Sequence, residues 1–237
     1  MPLTEDSARV AEAALTLLSL DGAELGLEYH YNSLSLCVID AVFSIGVRYE
    51  SVRAVIHRYC DYFGLDVYRP DPSALPARRS QETLGALVGH FADLGLEHMT
   101  GKVFVNRQRT STRSGILKSE AVWKFADALK SNGIEDLQDA AEAPPNAAVR
   151  RAIGLIPGQS SGISLKYCWM LAGSDELIKP DRMVLRFLED CLGRPVGTAE
   201  APHLVAGAVA RLKPLHPALT PRLLDHQIWE YQRGRPA

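Results

Sequence analysis

Residues Leu155–Asp181 read LIPGQSSGISLKYCWMLAGSDELIKPD. The stretch opens on a Pro-Gly turn, runs into an apolar helix and closes on one carboxylate behind a proline. Pro157 fixes φ and Gly158 permits the turn, so the chain reverses between a helix ending near Ile153 and another starting near Gly162. Ser160, Ser161 and Gly162 fall where the second helix begins. Backbone N–H groups at that place lack intrahelical partners and point outward with the positive end of the helix dipole, so a phosphate fits there. An ordinary turn between two packed helices has the same local sequence, and both readings stay open. Asp181 precedes RMVLRFLEDCLG, whose apolar spacing is helical. An aspartate at that place caps the helix through its side-chain oxygen. Capping also fixes a carboxylate in space, so it is compatible with an electrostatic role in a cleft.

Outward from this stretch the dominant period is helical. Thr4–Leu20 carries an apolar stripe at Val10, Ala14, Leu17 and Leu18. Ser33–Ser44 (SLSLCVIDAVFS) is almost wholly apolar and reads as a buried central helix. The next helix buries Val52, Val55, Ile56, Tyr59, Cys60 and Phe63 and stops at Gly64. Asp66–Arg79 holds three prolines and reads as a loop. Further helices are expected over Gln81–Leu96, Ile116–Lys130, Glu135–Ala143, Ala147–Ile153, Ile163–Ala172, Asp181–Leu192 and Glu200–Leu212. A last helix opens on Thr220-Pro221, a good N-cap and N1 pair. Val103–Gly115 is polar and basic and reads as a surface loop. The total is about ten helices with no strand pattern, so the fold class is all-α. Tyr167, Trp123, Trp169 and Trp229 are expected in the core.

The chain has 237 residues, 46% of them hydrophobic, enough for one substantial core or two lobes. A net charge of −2 announces no polyanionic partner, so nucleic acid would need a local basic face. Cys37, Cys60, Cys168 and Cys191 stand far apart in apolar contexts, with no CxxC and no metal-ligand spacing. They read as reduced core thiols of a cytoplasmic protein, with no iron–sulfur cluster and no metal site. The N-terminus lacks a basic n-region, and no apolar run approaches the ~20 residues that span a bilayer. The seven histidines include no HExxH pair. No G-x-S-x-G elbow and no dinucleotide glycine signature is present.

Taken together, LIPGQSSGISLKYCWMLAG and IKPDRMVLRFL resemble the helix–hairpin–helix DNA glycosylases, the superfamily of endonuclease III, MutY and the alkyladenine glycosylases. Ile156-Pro157-Gly158-Gln159-Ser160 matches the family hairpin, and Lys179–Arg186 matches the segment holding the family aspartate. Asp40-Ala41-Val42-Phe43-Ser44 looks like the buried family helix that ends before the base-flipping loop. The resemblance runs from Ser33 to Gly193. It implies a single domain over 1–237: a bilobal helical bundle, with a six-helix lobe over about 80–193 and a second lobe from the terminal helices. The departures are specific. Gly162 stands where the bifunctional enzymes carry lysine, so no Schiff base forms and no lyase step is expected. Ser160 replaces the second hairpin glycine, Met183 replaces a histidine, and Gly46 replaces the glutamine that plugs the DNA stack. The C-terminal four-cysteine cluster is absent from the sequence.

What the resemblance implies is a monofunctional N-glycosylase that extrudes a damaged or modified base from double-stranded DNA. Asp181 would stabilise the oxocarbenium-like sugar and orient or deprotonate water. Gly158, Ser160 and Gly162 would hold a phosphate, with a monovalent cation allowed there as in related hairpins and no other cofactor. Arg107 and Arg109, with Arg113 and Lys118, are candidates for further backbone contacts. Arg48, Tyr49 and Ser44 are candidates for the base gap and lesion pocket. The protein is expected to act as a monomer, away from membranes. Two alternatives stay open: a non-catalytic helix–hairpin–helix DNA-binding module in which Asp181 is only a cap, and a helical adaptor whose hairpin packs internally.

Overall fold

A computed structural model describes residues 5–47, 49–142 and 144–235. Among them there is no strand, only two isolated antiparallel bridges, Tyr31–Tyr68 and Arg109–Leu117, so the fold is all-α. The helices in chain order are α1 (Glu5–Leu17), α2 (Leu34–Phe43), α3 (Tyr49–Phe63), α4 (Leu84–Leu94), α5 (Leu96–His98) and α6 (Lys118–Lys130). They continue with α7 (Leu137–Glu142), α8 (Ala147–Gly154), α9 (Ile163–Ala172), α10 (Arg182–Leu192), α11 (Ala201–Leu212) and α12 (Pro221–Arg233). A π turn over Met99–Val103 prolongs α5, so the chain stays helical past Leu96, where sequence periodicity ended. No helix among the described residues is long and apolar enough to cross a membrane.

The chain divides into two compact units. One is contiguous, Leu27–Gly173; the other joins the residues up to Gly26 with those from Ser174 onward. The expected lobe limits near 80 and 193 differ from these. The reason is α2: all ten of its residues are buried, and it packs against α3, α4, α6 and α9, which ties the chain before residue 80 to the hairpin.

In the contiguous unit, Ser33 caps α2, its hydroxyl accepting from the amide of Leu36 at 3.4 Å. Asp40 lies wholly buried in that helix. Its oxygens accept from the hydroxyls of Tyr31 (2.7 Å) and Ser44 (2.6 Å), which replaces water around the carboxylate. Tyr167 and Trp169 of α9 are buried, and the Trp169 indole N–H donates to the carbonyl of Ala140 in α7. Trp123, expected in the core, is instead 39% exposed, with its ring stacked on Phe91 of α4.

The split unit is built on α1, α10, α11 and α12, with Val10, Ala14, Phe187, Leu188, Val205, Leu224 and Ile228 at its centre. Small residues set the approach of α1 to α11: a Cβ on Gly207 would lie 2.4 Å from Ser7 Oγ, so glycine is required there. Thr220 caps α12 ahead of Pro221, as the sequence indicates.

Candidate functional site

In the contiguous unit the turn between α8 and α9 follows from its glycines. Gly158 has φ +87° and sits against Thr110, where a Cβ would come within 2.5 Å of the threonine's own Cβ. The Thr110 hydroxyl donates to the carbonyl of Pro157 at 2.8 Å. The loop carrying Arg109 is thereby fastened to the hairpin. Gly162, at φ +70°, occupies the N-cap of α9. Its amide donates to the carbonyl of Gln159 at 3.0 Å, so it is not among the free donors, contrary to the sequence-based expectation. Within the turn the amides of Gly158, Ser160 and Ser161, all exposed residues, have no acceptor among the described residues. Gln159 turns inward: it is 1% exposed, and neither polar atom of its amide has a hydrogen-bond partner.

The basic loop beside the hairpin is less available than its composition suggested. Arg107 pairs with the carboxylate of Glu97, both side chains exposed, and that contact holds Glu97 below its ordinary pKa. Arg109 is exposed and closes its own loop by donating to the carbonyl of Gly115 at 2.5 Å. Arg113 is exposed. Lys118 is not a surface cation at all: at 1% exposure, its ammonium donates to the carbonyls of Phe43 (2.9 Å) and Ile45 (2.7 Å) and to Gln108 Oε1 (3.2 Å). Burial pulls its pKa down to about 8, while the carbonyls at the negative end of α2 hold the proton in place. It cannot reach a phosphate without leaving that seat.

Of the base-gap candidates, Arg48 lies outside the described residues. Ser44 is the C-cap of α2, and its hydroxyl is engaged by Asp40. Tyr49 begins α3, half-buried, with its ring nearly parallel to that of Tyr29 (centroids 6.2 Å apart, planes at 5°). Burial, with the nearby charge of Asp40, raises the Tyr49 phenol. Tyr31, stacked on Tyr68 at 5.9 Å, is raised by the same two causes in the same order.

Asp181 belongs to the split unit. It is the N-cap of α10: Oδ1 accepts from the amides of Met183 (2.8 Å) and Val184 (3.3 Å). Its own amide reaches back across Pro180 to the carbonyl of Lys179 at 2.6 Å, a tight turn that aims the side chain. With Oδ1 committed, Oδ2 remains for a reacting group. The sequence reading missed the residue that supports this turn. Asp225, buried on α12, accepts from the Lys179 amide at 3.0 Å. Asp225 has no ion pair among the described residues, and burial first, then the charge of Asp181, push its carboxyl up to about 8. A signal was present: on α12 the buried residues Pro221, Leu224, Asp225, Ile228 and Gln232 share one face, so two polar side chains stand on the apolar stripe.

A family model matches residues 8–233. The chain belongs to the DUF8548 family. The description of that family is a domain of unknown function. No curated protein and no solved structure matches the DUF8548 chain. Its own residues supply what chemistry there is: open amides at Gly158, Ser160 and Ser161 on the exposed turn of one unit, and in the other a carboxylate fixed through one oxygen, with the buried Asp225 carboxyl holding the turn before it.

Proposed function

We propose that the protein is a monofunctional DNA N-glycosylase, with Asp181 as its catalytic carboxylate. The observation that carries this reading is the ordered pair of a Pro-Gly hairpin and an aspartate whose Oδ1 is locked by two amides while Oδ2 is uncommitted. The amides of Ser160 and Ser161 bind a phosphate of duplex DNA at the positive end of α9. A base is extruded, and the C1′–N bond breaks with its electron pair leaving on the base, which takes up a proton. Positive charge grows on the sugar, and a carboxylate already held by the backbone stabilises it without reorganising. Water adds its oxygen to C1′ and gives its proton to the carboxylate. Asp225 is a positioning residue here: through the Lys179 amide it sets the turn that aims Asp181. Gly162, in place of a lysine, supplies no amine for a strand-cleaving step.

The test is incubation with DNA carrying diverse damaged and naturally modified bases, with free bases detected by mass spectrometry. Wild type should release at least one base. Asp181→Asn should lose on the order of 10²–10³-fold in rate while its DNA affinity stays near wild type. Near-wild-type turnover by the variant would remove Asp181 from the chemistry. One observation favours a second reading, a non-catalytic DNA-binding module: the two cap bonds by themselves give Asp181 a structural purpose. That module binds duplex with a steep salt dependence and releases no base from any DNA.

A further inference from the structure

The buried face of α3 is Val52, Val55, Ile56, Tyr59 and Cys60. Along its flank Tyr49, Arg53 and His57 follow one another at four-residue spacing, a strip over about 12 Å of helix. Tyr49 and His57 are half-buried, and Arg53 is exposed. Two further rings come from other segments of the contiguous unit. Tyr29 closes the 3₁₀ turn Leu27–Tyr29 and lies parallel to Tyr49, with centroids 6.2 Å apart and planes at 5°. Tyr68, in the loop after α3, meets His57 edge-on at 6.3 Å and 80°. Both of these tyrosines are half-buried too.

The rings are fixed before any ligand arrives. Tyr68 lies on Tyr31, centroids 5.9 Å apart and planes at 20°, and Tyr31 is a buried floor whose hydroxyl donates to Asp40 at 2.7 Å. The two segments are also bonded through their backbones: the amide of Asn32 donates to the carbonyl of Val67 at 3.0 Å, and that of Arg69 to the carbonyl of His30 at 2.9 Å. A purely structural stack in the same unit looks different. Tyr59 and Phe104 lie face to face and both are wholly buried. Tyr29 and Tyr49 are not. At 6.2 Å their parallel rings are slipped rather than overlaid, so part of each face stays uncovered.

We propose that the strip formed by Tyr29, Tyr49, His57 and Tyr68 is a stacking site for an unpaired nucleobase, with Arg53 placed for its phosphate. The chemistry of the strip sets this class. A ring face is matched by another planar π-system. A quaternary ammonium, the other guest that tyrosine clusters take, is disfavoured by the guanidinium in the middle of the strip. Glu28 and Glu50, next in the chain to Tyr29 and Tyr49, bring negative charge, so the rings rather than a basic field supply the affinity. Stacking is tolerant of sequence because every base has a π-face. The base is one extruded from a duplex or one in a single strand, and the two share this chemistry. The inference rests on the reading that nucleic acid is the partner, and not on the chemistry of Asp181.

The test is photocrosslinking of the full chain to DNA carrying 5-iodouracil, which on irradiation joins the aromatic ring it stacks on. Two probes are used: a single strand, and a duplex with the iodouracil opposite an abasic site. Peptide mapping by mass spectrometry should place the crosslink on Tyr29, Tyr49, His57 or Tyr68 with at least one probe, and which probe responds names the source of the base. Tyr29→Leu keeps the bulk without the ring and should bind that probe about tenfold more weakly. Tyr29→Phe keeps the ring and should bind it as wild type does, which decides the matter if the leucine variant does not fold. Arg53→Gln should reduce the salt slope of binding by about 0.7–0.9. Asp181→Asn should crosslink as wild type does, so a failure to release bases leaves this site standing. Crosslinks confined to other segments, for instance the α8–α9 turn, would overturn the site while leaving DNA binding in place. So would Tyr29→Leu binding as tightly as wild type, and so would no binding of either probe.

Discussion

The two ends of α2 treat a buried cation in opposite ways. At the C-terminal end Lys118 is fully engaged, with three oxygens around its ammonium and the negative end of the helix beneath it. At the N-terminal end Arg69 has one long hydrogen bond, a buried unpaired Nη2 and a helix end of its own sign. The split unit holds a milder version of the same contrast: Asp181 takes two amides, whereas Asp225 beneath it takes one and holds a proton instead. A buried charge with its partners in place is part of the fold. A buried charge short of partners destabilises the fold or shifts its pKa toward the neutral form, as at Arg69 and Asp225.

Substitutions at these charges separate the two cases. Lys118→Met strips a donor from the carbonyls of Phe43 and Ile45, while the exposed Gln108 turns to water, so unfolding free energy in urea should fall by about 2–6 kcal/mol, at 1–3 kcal/mol per orphaned carbonyl. If Lys118→Met left the unfolding free energy unchanged, the contrast would collapse.

Asp225→Asn comes next. The carboxyl rises to about 8 in the fold, above its unfolded value near 4, so the folded state holds a proton that the unfolded state has released over that interval. Its contribution is fully present below pH ~4 and is lost as pH rises toward 8, by about 1.4 kcal/mol per pH unit at most. Asparagine keeps the acceptor for the Lys179 amide and cannot ionise, so that slope should flatten in stability curves taken from pH 4 to 8. An unchanged slope would show that Asp225 is not the group that titrates.

Ser44→Ala removes one of the two hydroxyls on Asp40 and should cost about 1–2 kcal/mol, measured by the same denaturation. At the far end, Arg107→Ala breaks an exposed pair with Glu97 and should leave Tm unchanged. In the glycosylase reading it should reduce the salt slope of DNA binding by about one, if that guanidinium exchanges Glu97 for a phosphate.

Much of this could be read from the sequence where the cause is local. The apolar run of α2, the Asp181 cap of α10 and the Thr220-Pro221 start of α12 depend on neighbours within one turn, and all three are in place. The misreadings have distant causes. Lys118 reads as a surface lysine until the carbonyl of Phe43, 75 residues away, closes over it. Asp225 supports Lys179 across 46 residues, and Thr110 meets Pro157 across 47. A helix start predicts a free amide at Gly162, yet the turn before it consumes that donor on Gln159. Arg69 sits by a proline-rich loop whose composition gives no sign that its side chain points inward.

In the proposed reaction the free oxygen of Asp181 faces positive charge on a sugar. This can be tested before any substrate base is known. Duplex DNA carrying a cationic pyrrolidine in place of the sugar imitates the transition state, and a neutral tetrahydrofuran of the same shape does not. The affinity of wild type and Asp181→Asn for the two duplexes is the measurement. Wild type should prefer the cationic duplex by at least about tenfold, and the variant should bind both alike. Equal binding of the two duplexes by wild type would contradict the assignment of Asp181.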